Sequence, residues 1–344
     1  MTYIIGEIGQ NHNGSVEIAK KIIDVAALQV REELFGLDLK RIDAVKLTKR
    51  DLKEELSQTE MNRPYNSPHS FGKTYGEHRE FLELNDEQHF ELYQYAKAKG
   101  LDFVETLCAI GCLSLLKLFT PDYLKVASRD LTNLPLLNAL GETKIPIIIS
   151  TGMAAQQELD DALNTLSKHH NNITILHCLS EYPSQYKNIN LYSINWLIEN
   201  YPQYRIGYSD HSIGIDIPLA AVALGAKVLE KHITLDRNMK GTDQQGSLGP
   251  EGMYRMTRDI RCLELALGEK KFYAHDAVAA AKLKLERSIA TNRVVKKGEI
   301  IKEEDIHLLS PGNGFKWKNK NEVIGKKALV DIGQDEIIYG DLIA

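Results

Sequence analysis

Cysteine, aromatic residues and long apolar runs are all scarce in this chain, and each shortage excludes something. Four cysteines in 344 residues are too few to staple the fold, so a disulfide framework is excluded and reduced thiols are expected. Cys108 and Cys112 stand four apart in a helical pattern, which reads as two core-facing thiols before it reads as a metal pair. Apolar runs such as "IPIII" at 145–149 are far too short to span a bilayer. Aromatics make up 7% of the chain and the net charge is −5. Without a basic block, the positive surface that phosphate neutralisation requires is missing, and nucleic acid is not an expected partner. The opening "MTYIIGEIGQ" has no basic leader and no long apolar stretch, which makes the cytoplasm the expected location.

What the chain does have is alternation. Short β-like runs at 3–8, 42–48, 101–106, 123–128, 146–151, 173–178, 204–209 and 227–233 are separated by amphipathic segments such as "SVEIAKKIIDVAALQ" and "AAQQELDDALNTLSKHH". In "NDEQHFELYQYAKAKG" the Asn85–Asp86 pair reads as the N-terminal cap and Gly100 as the stop. Eight βα units within about 266 residues predict a (β/α)8 barrel, an α/β fold. A doubly wound open sheet is the rival. The glycines of "GEIGQNHNG" lack the dinucleotide-binding spacing, which counts against it.

Between "VKLT" and residue 86 lies an insertion of more than thirty residues that the pattern leaves without structure. It carries Arg63, His69, Lys73, His78 and Arg79, suited either to an anionic ligand or to a subunit contact. After residue 266 the style changes. Residues 267–286 read as a connector with some helix, and 287–344 as a small β-rich domain with turns at "KKGE", "PGNG" and "DIGQDE".

In such barrels the active site forms at the C-terminal ends of the strands. The residues expected there are unusually polar. They are Glu7, Asn11 and His12; Lys46 and Thr48; Glu105 and Thr106; Lys125, Ser128 and Arg129. The later strands add Ser150 and Thr151, His177, Ser209 to His211, Glu230 and His232. Lys46 and Lys125, each with a hydroxyl two or three residues on, point to an anion site. His211 and His232 end adjacent strands about 4.8 Å apart, so two imidazoles can converge on a divalent ion, with Asp210 or Glu230 orienting a ring. Glu7, across the barrel from both, is a candidate general base.

With those residues laid out, the chain resembles the sialic acid synthase family over both domains. The matching stretches are "GEIGQNHNG", "AVKLT", "YLKVASRDLTNLPLL", "IIISTGM", "LHCLSEYP", "IGYSDHS", "ALGAKVLEKHITLD" and "KGTDQ". The stretch "RSIATNRVVKKGEIIKEEDI" with "SPGNG" is similar to the antifreeze-like (SAF) domain that follows the barrel in that family. The resemblance implies condensation of phosphoenolpyruvate with an N-acylated hexose, N-acetylmannosamine or a diacetamido-trideoxy relative, to a nine-carbon acid and phosphate. It implies a metal, Mn2+ or Mg2+, on His211 and His232. Lys46, Thr106, Lys125, Ser128, Ser150 and Ser209 would hold phosphoenolpyruvate, Glu7 would activate water, and Thr48, Tyr182 and Asp243 would face the sugar. A domain-swapped homodimer is also implied.

The chain departs from the family pattern at Glu105, Arg129, Ser180 and Ser310. A Glu105–Arg129 pair reshaping the sugar end, with Arg129 standing in for a guanidinium otherwise supplied by a partner subunit, is the expectation drawn from these departures. Two other readings compete: a barrel using its lysines for Schiff bases, and a sugar-binding protein whose site has lost catalysis.

Overall fold

A computed structural model describes residues 1–344. Eight parallel strands close into a barrel: β1 (Tyr3–Gly9), β2 (Ala44–Lys49), β3 (Asp102–Leu107), β4 (Tyr123–Val126), β5 (Ile147–Ser150), β6 (Ile173–Cys178), β7 (Arg205–Asp210) and β8 (Val228–His232). Each strand pairs with the next in the chain, and β8 closes on β1. The eight expected strands are all present, with ends that differ by two residues at most.

The helices between them form for local reasons. In Val16–Ala26, Ser15 caps the first turn through its hydroxyl, and Ala19, Ile22, Ile23 and Ala26 are buried at a helical period. Helix Asp86–Ala98 opens on a capping box between Asn85 and Gln88. It ends two residues before Gly100, whose φ of +71° suits a residue without Cβ. The main core lies between strands and helices. A smaller one, built on Ile5, Ala44, Val104, Ile148, Leu176 and Val228, plugs the barrel itself.

Two local expectations change. The insertion before residue 86 is not structureless, because it contains helices Leu52–Glu55, Gln58–Met61 and Tyr75–Leu82, each with a side-chain N-cap. Their brevity hid them from a periodicity reading. A small hairpin, Val30–Glu32 with Leu37–Leu39, also interrupts the connection from β1 to β2. Cys108 and Cys112 are buried free thiols, as expected.

The chain divides into compact units at Met1–Gly268 and Glu269–Ala344. The second unit has its own core of Ile289, Val295, Ile301, Val323, Ile332 and Ile338. In it β9 (Ser288–Thr291) pairs antiparallel with β10 (Ile306–Leu309). Residues Asp276–Val278 and Ala279–Leu285, in the expected connector, are helical. No helix is long and apolar enough to cross a membrane.

Candidate active site

The site is the next layer above the barrel plug. Side chains of a strand alternate between faces, so each inward plug residue is followed two positions later by an inward residue nearer the C-terminal rim. Ile5 is followed by Glu7, Ala44 by Lys46, Val104 by Thr106, Ile148 by Ser150 and Val228 by Glu230. Strand register aligns them: Glu7 sits opposite both Lys46 and His232, Thr106 opposite Lys125, and Glu230 opposite Ser209. They line a cavity of about 440 Å³ at the carboxyl ends of the strands.

Its floor is charged and nearly closed to solvent. Glu7, Lys46, Lys125 and Glu230 are each at most 4% exposed. Lys46 Nζ lies 3.1 Å from Glu7 and 3.3 Å from Glu230, and Lys125 Nζ lies 3.9 Å from Glu230. Ser209 donates to Glu230 at 3.0 Å. The two carboxylates diverge. Burial pushes Glu7 up to about 7 despite Lys46. Glu230 feels the same burial, but Lys125 and Lys46 together hold it down at about 2. Burial also lowers Lys125, whereas Glu230 and Glu7 outweigh burial at Lys46 and raise it. The hydroxyls of Thr106 and Ser150 are buried with no hydrogen-bond partner, which leaves two donors free for a ligand.

Across the cavity, the rings of His211 and His232 have centroids 5.5 Å apart, and Tyr182 packs 4.0 Å from His211. His211 Nδ1 is 2.7 Å from the Leu179 carbonyl. It therefore carries the proton, and Nε2 is the nitrogen left to accept. His232 Nδ1 is buried without a hydrogen-bond partner, 3.9 Å from Asp243. Burial depresses His232 to about 4, so the ring is neutral near pH 7. No group of three or more His, Cys, Asp or Glu is arranged to hold a metal; any ion here would complete its shell with oxygens from water or substrate. Asp243 rides on the loop after β8, which is tied to β1: Ser247 bonds the Asp243 carbonyl at 2.6 Å, and Asn11 bonds Ser247 and the Ile233 carbonyl, each at 2.8 Å.

A NeuB family model matches residues 39–272, and a SAF domain model matches residues 286–344. This chain belongs to the NeuB family. It is similar to N-acetylneuraminate-9-phosphate synthase of Homo sapiens, 34% identical over 342 residues that cover 99% of this chain and 92% of that protein. It is also similar to N,N'-diacetyllegionaminic acid synthase of Campylobacter jejuni, 35% identical over 341 residues, 98% of each chain. Among solved structures, the sialic acid synthetase of Leptospira borgpetersenii is 29% identical with a TM-score of 0.68, covering 81% of this chain and 90% of that one.

Against this NeuB-family frame, most residues named from sequence converge on the cavity: Glu7, Lys46, Thr48, Thr106, Lys125, Ser128 and Arg129 from the first half of the chain, and Ser150, Tyr182, Ser209, His211, His232 and Asp243 from the second. Glu105 does not. It stands at an odd position of β3, so it points out of the barrel, is fully buried, and pairs with His89 at 3.0 Å. The expected Glu105–Arg129 pair is therefore not formed; Arg129 contacts Cys108, Asp130 and Glu55 instead. Asp210 is outward for the same reason and pairs with Lys231, Ser212 and Tyr208. It does not orient His211, a task that falls to the Leu179 carbonyl. Glu230 binds the lysines and does not hold a ring. Asn11, His12 and His177 pack beside the rim: His12 accepts from Gly14, and His177 pairs with the Ile189 carbonyl.

Sequence reasoning missed several cavity residues. Cys178 follows the plug residue Leu176 by two, a signal that strand alternation carried. Arg50, Gln10 and Thr242 come from loops, where no period exists; Arg79, named from the sequence among the basic side chains of the insertion, reaches the cavity from helix Tyr75–Leu82.

Proposed function

We propose that this NeuB-family enzyme condenses phosphoenolpyruvate with an N-acylated amino sugar, giving a nine-carbon sialic-type acid and inorganic phosphate. The observation that carries the reading is the single buried layer in which Lys46 and Lys125, with unpartnered Thr106 and Ser150 hydroxyls, face two imidazoles across one cavity. The names of the relatives, synthases of sialic-type acids, support the same reading.

In this account Lys46 and Lys125 bind the phosphate and carboxylate of phosphoenolpyruvate, aided by Thr106, Ser128, Ser150 and Ser209. Glu230 aims both ammonium groups and keeps them charged in a site shielded from water, where fixed charges act most strongly. Thr48, Tyr182, Asp243 and Arg129 receive the open-chain sugar. His211 and His232 fit a divalent ion: one ring is fixed by a backbone carbonyl, the other has an orphaned buried nitrogen, and both face substrate space. When bound there, a Mn2+ or Mg2+ ion supplies Lewis-acid polarisation of the sugar's aldehyde oxygen.

Carbon 3 of phosphoenolpyruvate attacks the aldehyde carbon, and positive charge develops at carbon 2. Glu7 takes a proton from water, and the hydroxide adds at carbon 2. The tetrahedral adduct collapses to the ketone: the bond between carbon 2 and the bridging oxygen breaks, and that oxygen leaves with phosphate. The two protons of the consumed water, one carried by Glu7 and one shed by the carbon 2 hydroxyl, end on the new alcohol at the former aldehyde carbon and on the phosphate. A carboxyl with its pKa near neutrality is matched to that proton transfer.

The test is phosphate release assayed with phosphoenolpyruvate and a panel of N-acyl sugars. Release should depend on acceptor, stop with EDTA and return with added Mn2+ or Mg2+, and borohydride should trap no adduct. Trapping on a lysine together with indifference to EDTA would replace this reading with Schiff-base chemistry.

A further inference from the structure

The amide of Gln10 is only half satisfied. Along β1, Glu7 faces the cavity and Ile8 the outer core. A register shift between Glu7 and Gly9, where Gly9 takes a φ of +51°, then breaks the alternation. Gln10 therefore reaches the cavity instead of following Ile8 outward. Its side-chain oxygen accepts from Arg79 Nη1, and its amide nitrogen is buried with no hydrogen-bond partner. A guanidinium only donates, so the oxygen must be the end that faces Arg79, and the nitrogen the end that faces away. Arg79 is itself held. It stands one turn after Tyr75 in helix Tyr75–Leu82, and its Nε and Nη2 donate to the Tyr75 hydroxyl at 2.9 and 2.7 Å.

We propose that Gln10 binds the acceptor, its amide nitrogen donating to the carbonyl oxygen of the sugar's N-acyl group. Arg79, anchored by Tyr75, is the positioning residue that fixes the amide in that orientation. This rests on the synthase reading above. Strand β1 pairs with β8, and Glu7 stands opposite His232. Beyond the strands, Asn13 donates to the Lys240 carbonyl at 2.9 Å, and Gln244 to the Asn11 carbonyl at 3.1 Å. The segment that carries Gln10 is thus laced to the loop that carries Asp243, on the His232 side of the cavity. An aldehyde held at the imidazoles puts carbon 2, the next atom of the sugar, and its acylamino group against this edge.

The chemistry is complementary. The free nitrogen can only donate, and an amide carbonyl is an acceptor that is costly to leave unpaired once it is out of water. The unpartnered hydroxyls of Thr106 and Ser150 stand on β3 and β5, two and four places from β1 in the ring, where phosphoenolpyruvate is assigned. Gln10 is left for the acceptor. Without Arg79 the amide could turn its oxygen toward the acyl carbonyl, setting two acceptors against each other. The guanidinium makes a side chain that can flip into a committed donor.

Gln10→Glu keeps the shape of the side chain and gives Arg79 a carboxylate to hold, but replaces the donor with an acceptor. Steady-state kinetics use phosphoenolpyruvate with N-acetylmannosamine, or with whichever N-acyl sugar of the panel turns over fastest. The acceptor's KM should rise about tenfold, the worth of a carbonyl left unpaired, while the KM for phosphoenolpyruvate stays put. Mannose, with a hydroxyl where the acyl amide would be, is measured as a competitor of the acceptor, and its Ki should move less than about twofold. Arg79→Leu should raise the acceptor's KM and Arg79→Lys should largely restore it. Adding Arg79→Leu to Gln10→Leu should cost nothing more, because Arg79 acts only through the amide. An unchanged acceptor KM in Gln10→Glu overturns the proposal, as does an equal rise in the Ki of mannose. Additive losses in the double variant would deny Arg79 its positioning role. Wild-type enzyme that releases phosphate with no N-acyl sugar defeats the synthase reading itself, and this inference with it.

Discussion

Glu7 and Glu230 are chemically the same residue on adjacent strands, equally buried, yet they are set at opposite ends of the carboxylate range. The difference is cation count. Glu230 meets two ammonium groups, and Glu7 chiefly shares one with it. A base must be ionised to work, and Glu7 stands near 7. The expected kcat/KM is therefore low in acid, rises through about pH 7 and levels above it, since this parameter reports the free enzyme. Glu7→Gln should cost about 10²-fold or more in kcat/KM and remove the acid limb. A pH profile of the variant that keeps the limb would assign it to another group. Sequence alone identified Glu7 as a candidate because it heads a polar cluster, but its pKa depends on neighbours from β2 and β8 that only folding brings close.

At the scale of elements, alternation along strands decides which polar residues work and which only support. Even-spaced residues above the plug face the cavity. The residues between them face the helices, and there a charge survives only if paired: Glu105 with His89, Asp210 with Lys231. Most of the site was legible for this reason, since strand ends and the period of two are both written in the sequence. Glu105 was misjudged because a strand end was read without asking which way its residue points. Arg50 was missed because loops carry no period. The buried Lys231–Asp210 pair also pins the segment bearing His211, because Lys231 bonds the Ser212 carbonyl. Lys231→Met would strand the Asp210 charge and should cost about 3–5 kcal/mol, the typical loss when one partner of a buried pair is removed. Urea unfolding measures it; a loss under about 1 kcal/mol would mean that the pair is dispensable.

On the scale of the whole molecule, the two units have separate hydrophobic cores. The break was visible in the sequence as a change from βα alternation to closely spaced turns. Ile301 is fully buried in the smaller core, so Ile301→Ala should lower that unit's stability by about 2–5 kcal/mol. Scanning calorimetry should show its transition shifted and the barrel's transition unmoved. A common shift would mean that the units unfold as one.

The central claim is that carbon 2 of phosphoenolpyruvate loses its bridging oxygen during condensation with an amino sugar. Phosphoenolpyruvate labelled with 18O at that bridging position tests it directly. Turnover with an N-acyl sugar acceptor should release phosphate that contains the label, and only when acceptor is present. Label retained in the organic product, or phosphate released without acceptor, would contradict the account.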